Sequence, residues 1–174
     1  MKRLLLLRHA KTVPAGAGIE DHDRELMKRG REDAPLVGRY MQAQKYIPDL
    51  ILCSTSRRTV ETADLVISEL TGTKTIDFEE ALYLAEPRII HAAIRGAPET
   101  ARTLMIVGHN PGLEQLAAAL AREPVKRKER DRFDSIEEKF PTGALAVLEF
   151  DVPRWRDVAT GQGALIDFVR PRDL

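Results

Sequence analysis

The chain has 174 residues and a mass of 19.5 kDa, the size of one domain able to bury a core of its own. Its 27 basic and 27 acidic residues cancel, so no global charge draws it toward nucleic acid or an anionic membrane, and any attraction for anions has to be local. The single cysteine, Cys53, excludes an intramolecular disulfide and gives no support to a secretory setting.

The Lys-Arg start is followed by an apolar run too short for a signal peptide, and no stretch reaches the length of a membrane span. A cytoplasmic protein is expected. That run, Leu4–Leu7, is also too short for a helix and predicts a strand buried on both faces. It stops at Arg8-His9. Residues 12–23 are Gly/Pro-rich and polar and predict a loop. Asp21-His22-Asp23 within it invites a metal reading, but adjacent residues rarely converge on one ion and no second ligand cluster follows. Local hydrogen bonding in a loop is the expectation there, and no metal or cofactor is expected anywhere.

Apolar spacing over Gly30–Gln44 predicts an amphipathic helix. Leu50–Cys53 predicts a second short buried strand, ending at Ser54-Thr55-Ser56-Arg57-Arg58, and Thr59–Leu70 a helix with its apolar face toward the sheet. Cys53 and Arg58 are spaced Cys-x4-Arg, one residue short of the Cys-x5-Arg phosphatase loop, so Cys53 is expected as a packed core thiol. A short strand over Thr75–Phe78 and a helix over Pro87–Arg95 follow, with His91 on that helix in a structural role. Thr103–Val107 predicts a third buried strand ending in Gly108-His109-Asn110-Pro111-Gly112. Asn110 as N-cap and Pro111 as first helical residue then open a helix to about Ala121.

Residues 122–139 carry seven basic and six acidic side chains, closely interleaved. Mixed signs argue against a nucleic-acid arm. A solvated helix-loop excursion is expected over 122–140, with a flap beside the site as the sharper alternative. Thr142–Phe150 and Ala164–Val169 predict two final strands.

Strands separated by single helices imply one three-layer α/β domain over residues 1–174, with a mostly parallel central sheet and helices on both faces. Ligands of such sheets bind outside the carboxyl ends of the strands. Arg8 and His9, Arg58, and His109 all fall at or just past such ends. Two guanidiniums offer forked donors that match phosphate oxygens, and helix N-termini after Arg58 and Asn110 would add backbone donors. The residues describe a pocket for a dianion that also contains imidazole.

These motifs resemble the histidine phosphatase superfamily, the phosphoglycerate mutase-like fold. Arg8-His9-Ala10 looks like its Arg-His-Gly signature, the segment Ser54–Ala63 is similar to its Ser-x-x-x-Arg-Ala-x-x-Thr-Ala stretch, and Gly108-His109-Asn110 matches its second-histidine motif. Asp21-His22-Asp23-Arg24, Lys28-Arg29-Gly30-Arg31 and Phe140-Pro141-Thr142-Gly143 look like the short SixA-type phosphohistidine phosphatase branch.

The resemblance implies that His9 is a nucleophile forming a phosphohistidine intermediate, and that Arg8, Arg58 and His109 hold the phosphoryl oxygens. Ala10 departs from the signature glycine, so the turn after His9 has to accept a methyl group. The larger members' leaving-group acid has no counterpart in Ala81-Leu82-Tyr83-Leu84, although Glu79, Glu80 and Glu86 flank that stretch.

An alkyl phosphate needs a proton from the enzyme, whereas phosphohistidine can leave as neutral imidazole. A metal-independent hydrolase acting on a phosphohistidine protein is therefore expected. A phosphatase for a small phosphate ester and a non-catalytic phosphate-binding module are the alternatives. No nucleic-acid or membrane partner is expected, and the sequence carries no signal for oligomeric state.

Overall fold

A computed structural model describes residues 1–16, 18–72 and 75–174; Ala17, inside the loop expected over 12–23, lies outside them. Among the described residues one six-stranded sheet organises the fold, in the order β3-β2-β4-β1-β5-β6. The strands are β1 (Lys2–Arg8), β2 (Leu50–Ser54), β3 (Thr75–Glu79), β4 (Thr103–Gly108), β5 (Leu145–Phe150) and β6 (Ala164–Val169). Pairing is parallel from β3 to β1 and antiparallel from β1 through β5 to β6. Helices α1 (Lys28–Gln44), α2 (Arg57–Ile67), α3 (Pro87–Arg95), α4 (Gly112–Leu120) and α5 (Arg127–Glu138) complete the domain.

The four leucines of β1 are fully buried. Leu5 and Leu7 join one core cluster with Val37 and Met41 of α1 and Ala63 and Val66 of α2. Leu4 and Leu6 join the other, with Ile90 of α3, Leu116 of α4 and Ile136 of α5. Alternate side chains of one continuous apolar run thus feed two cores, which is what a strand covered by helices on both faces requires.

Several boundaries differ from the sequence expectation. Helix α2 starts at Arg57, because Ser56 Oγ accepts the Thr59 N–H at 3.4 Å and caps it; Arg58 therefore sits in the helix's first turn. Helix α4 starts at Gly112, not Pro111, after a cis Asn110–Pro111 bond. Asn110 still accepts the Glu114 N–H at 3.3 Å, but its Nδ2 is turned across to the Phe140 carbonyl at 2.8 Å. Strand β5 starts at Leu145, since Thr142-Gly143 is taken up by a turn. Gly143 has φ +78° and donates its N–H to the His9 carbonyl at 2.9 Å.

The charged stretch folds into α5, which packs on α4 and β6, burying Ile136 and seating Phe133 partly in the core. Only two apolar residues in a charged dozen make that contact. No described helix is long and apolar enough to cross a membrane.

Candidate active site

Strands β2, β4 and β1 are neighbours, and their register sets Cys53, Val107 and Leu7 level with one another. The next residues, Ser54, Gly108 and Arg8, form the carboxyl edge of the sheet. His9 and His109 each stand one residue beyond it. The His9 N–H bonds the Gly108 carbonyl at 3.1 Å, and the two imidazole centroids lie 5.4 Å apart. Arg8, His9, Arg58 and His109 together line a cavity of about 620 Å³, within the usual range of ligand pockets, about 300–1,000 Å³.

The Ser54–Ala63 segment has a physical reason at each polar position. Ser54 Oγ meets His109 Nε2 at 2.8 Å. Four residues on, Arg58 is only 3% exposed; its Nη1 donates to the Asp21 carbonyl at 2.7 Å and its Nη2 to Asp21 Oδ2 at 3.0 Å. A further helical turn brings Thr62, whose Oγ1 donates to the Arg58 carbonyl and accepts the Ala10 N–H at 2.9 Å. That bond ties the end of β1 to α2. The Ala10 methyl group lies in the core on the α1/α2 face. The neighbouring arginine, Arg57, points outward to Glu25 at 3.0 Å and Glu61 at 3.7 Å.

His9 Nδ1 sits 2.8 Å from the Ala10 carbonyl, so Nδ1 carries the proton and Nε2 keeps its lone pair. Burial, aided by the nearby Arg8 and Arg58 guanidiniums, pushes His9 down to about 4 against the raising effect of that carbonyl. Burial and the neighbouring His9 push His109 down to about 3. Both rings are neutral at pH 7. Arg8 donates Nη1 to the Phe140 carbonyl at 3.0 Å. Arg8 Nε and His109 Nδ1 are buried without a hydrogen-bond partner among the described residues.

Three contributors to this site lack a sequence signal tied to a role. Asp21 lines the cavity, joins Arg24 at 2.9 Å and accepts a short hydrogen bond from the Tyr83 hydroxyl. The Tyr83 bond, reinforced by Arg24 and Arg58, holds the Asp21 carboxyl far below the usual carboxylate range. Arg24 also donates to Thr12 Oγ1 and the Val13 carbonyl, closing the loop on itself. Tyr83 stands edge-on to His109 at 5.4 Å and to His22 at 4.8 Å. His22 in turn meets Thr55 Oγ1 at 3.0 Å. Asp21-His22-Asp23 is thus a 3-10 turn pinned over α2. Among the described residues no three His, Cys, Asp or Glu side chains cluster as a metal site.

Other expected residues fall elsewhere. Cys53 is fully buried, and burial pushes its thiol up to about 12, as for a core residue. His91 meets the Val158 carbonyl at 2.8 Å. Glu79, Glu80 and Glu86 are exposed and do not line the cavity. Nor does any residue of 122–140, so α5 is docked on the sheet and not laid over the cavity mouth.

Residues 4–83 match the family model of the histidine phosphatase superfamily, branch 1. With that match and a full-length relative at 35% identity, the chain belongs to this superfamily. The relative is an uncharacterized protein of Mycobacterium tuberculosis, aligned over 166 residues that cover 95% of this chain and 100% of the relative. Among solved structures, a candidate phosphohistidine phosphatase SixA from Agrobacterium tumefaciens is similar at TM-score 0.79 and 31% identity, over 98% of each chain. Another from Nakamurella multipartitia is similar at TM-score 0.83 and 26% identity, over 98% of this chain and 96% of that one.

Proposed function

We propose that the chain is a SixA-type phosphatase, a single 1–174 catalytic domain that removes the phosphoryl group from phosphohistidine on a protein. The observation that carries this reading is His9, a neutral imidazole with Nδ1 engaged by its own backbone and Nε2 left as a nucleophile beside Arg8, Arg58 and His109. The Nε2 lone pair attacks phosphorus, and the bond from phosphorus to the departing nitrogen breaks with its electron pair leaving on that nitrogen. Arg8 and Arg58 face the negative charge on the equatorial oxygens, where fixed donors lower the barrier most. A neutral His109, its Nε2 meeting Ser54, offers its Nδ1–H to the same oxygens. Water then attacks the phosphorylated His9, releasing phosphate and restoring the Nε2 lone pair.

The substrate class follows from proton supply. Asp21 is the carboxylate of the cavity wall, and it is held ionised by Tyr83, Arg24 and Arg58, so it has no proton to give a leaving group. The flanking glutamates stand outside the cavity. Phosphohistidine, protonated on its other ring nitrogen, leaves without such help; a serine or sugar phosphate does not.

Rapid quenching with labelled phosphohistidine substrate should trap an acid-labile, alkali-stable adduct on the peptide containing His9, absent in His9→Ala. Label on Cys53 or on a serine would overturn the mechanism. Against a series of phosphate esters, kcat/KM should fall steeply as leaving-group pKa rises, and equally steeply in Glu79→Gln, Glu80→Gln and Glu86→Gln. A shallow dependence that steepens in one of these variants would identify an acid and shift the assignment to a small-molecule ester.

A further inference from the structure

A second cavity of about 400 Å³ opens beside the first, and Lys11, Met27 and Thr142 line both. Its charged lining is Lys11, Arg29, Lys139, Arg170 and Arg172 against the single carboxylate of Asp33. In a chain whose 27 basic and 27 acidic residues cancel, five cations around one groove are a local excess. Arg29 reaches Asp33 only at 3.7 Å, and Arg170 is held by Asp173 at 3.0 Å. Lys11, Lys139 and Arg172 form no ion pair among the described residues. Met27, Pro141 and Pro171 supply an apolar floor.

Close-packed backbone carries these charges. The Met27 N–H donates to the Lys11 carbonyl at 3.0 Å. Gly30 packs so close that a Cβ there would stand 2.2 Å from the same oxygen, which fixes the start of α1 against the end of β1. Pro171 lies against Gly143, where a Cβ would meet its ring at 2.7 Å.

We infer that this groove docks an acidic, partly apolar polypeptide segment flanking the phosphorylated residue, so that the enzyme selects phosphohistidine in acidic surroundings. The inference rests on the phosphohistidine-protein reading above and specifies the partner's surface. Lys11, Arg29, Lys139 and Arg172 are long, exposed side chains, and such donors make a poor cradle for one small anion. They suit several carboxylates spread along a chain, at a cost in salt sensitivity. Because the two cavities share a wall, the groove's occupant continues from whatever presents its phosphoryl group to His9. The apolar floor offers burial to a side chain between the acidic ones.

The test uses two phosphohistidine peptides of equal length, one flanked by Glu and Leu and the other by Lys and Leu, with p-nitrophenyl phosphate as a substrate too small to reach the groove. Wild type should favour the acidic peptide in kcat/KM by about tenfold or more at low salt, with the preference shrinking as salt rises. Lys139→Glu combined with Arg172→Glu should abolish or reverse that preference while p-nitrophenyl phosphate turnover stays within about twofold, as rim charges act on encounter and not on chemistry. If the double variant fails to fold, Lys139→Gln and Arg172→Gln singly should each lower the preference. Equal rates on the two peptides, or a preference that survives the charge reversal, would overturn the groove assignment alone. Turnover of p-nitrophenyl phosphate with neither peptide hydrolysed would instead reject the phosphohistidine reading, and the groove's proposed occupant with it.

Discussion

In the cavity at the sheet edge, both arginines are anchored before any substrate arrives. Arg8 is held by the Phe140 carbonyl and Arg58 by two bonds to Asp21. In the neighbouring groove, Lys11, Lys139 and Arg172 are exposed and carry no such anchor among the described residues. The contrast matches the two kinds of work proposed for them. A phosphoryl group in transit has one geometry, and donors already in place need not reorganise when charge develops. A polypeptide segment has many geometries, and loosely held cations adapt to them at the expense of strength.

Removing a charge anchored in the cavity should therefore cost far more than removing one at the surface. Arg58→Ala should lower kcat by about 10²–10³-fold, the usual loss for one fixed donor to a developing anion. Arg57→Ala, one residue away but turned to Glu25 and Glu61, should leave kcat within about twofold, since exposed ion pairs contribute little. Steady-state kinetics on an aryl phosphate decides it; comparable losses in the two variants would erase the distinction between an arginine anchored in the cavity and one paired at the surface.

The anchor itself can be removed next. Asp21→Asn should reduce kcat by about tenfold, the scale of one charge-assisted hydrogen bond of ~1.5 kcal/mol. Because Asp21 holds Arg58 through two hydrogen bonds, its effect should vanish in the Arg58→Ala background. An undiminished effect there would mean that Asp21 has a role of its own.

The smallest effect concerns acid. His9 at about 4 and His109 at about 3 both lie below the about 6.5 of a histidine in an unfolded chain. Between those values the unfolded state binds more protons than the folded one. Stability is thus full above about pH 6.5 and is lost as pH falls toward 4 and then 3. Thermal unfolding followed across that window should show a falling Tm, and a shallower fall in His109→Gln. On p-nitrophenyl phosphate, the protonation of His9 should not limit kcat/KM until about pH 4, because the proposed attack needs a neutral His9. A half-point near 6.5 would mean that His9 is not held neutral. Salt, in contrast, should move peptide selectivity while leaving this limb in place.

The sequence exposes the parts of the site that sit at the ends of apolar runs. Arg8, His9 and His109 are legible because a buried strand that stops at a polar side chain marks a sheet edge, and Arg58 because the first turn of α2 follows β2 directly; β1, β2 and β4 are adjacent. Asp21, Arg24 and Tyr83 come from a loop and a 3-10 turn with no periodicity to fix their direction; their positions depend on hydrogen bonds across the fold, from Thr12 to Thr55. The docking of α5 is hidden for a different reason. Its mean composition is that of a solvated helix, and only Ile136 and Phe133 reach the core. The groove is more dispersed still, its cations arriving from just past β1 (Lys11), the start of α1 (Arg29), the end of α5 (Lys139) and the C-terminal 3-10 turn Pro171–Asp173 with the residue before it (Arg172 and Arg170).

The Phe140 carbonyl accepts hydrogen bonds from both Arg8 and Asn110, and the Asp21 carbonyl accepts one from Arg58. Main-chain oxygens are supplied by every amino acid, so substitution at position 140 replaces the ring without deleting the acceptor. At position 21 it removes the carboxylate but leaves half of the arginine's support standing. Descendants of this chain that substitute either position therefore keep a main-chain acceptor for each arginine, although the change opens the core at buried Phe140 or gives up the carboxylate at Asp21. An insertion or deletion beside either residue, which moves the backbone itself, is the change that such a lineage should tolerate least.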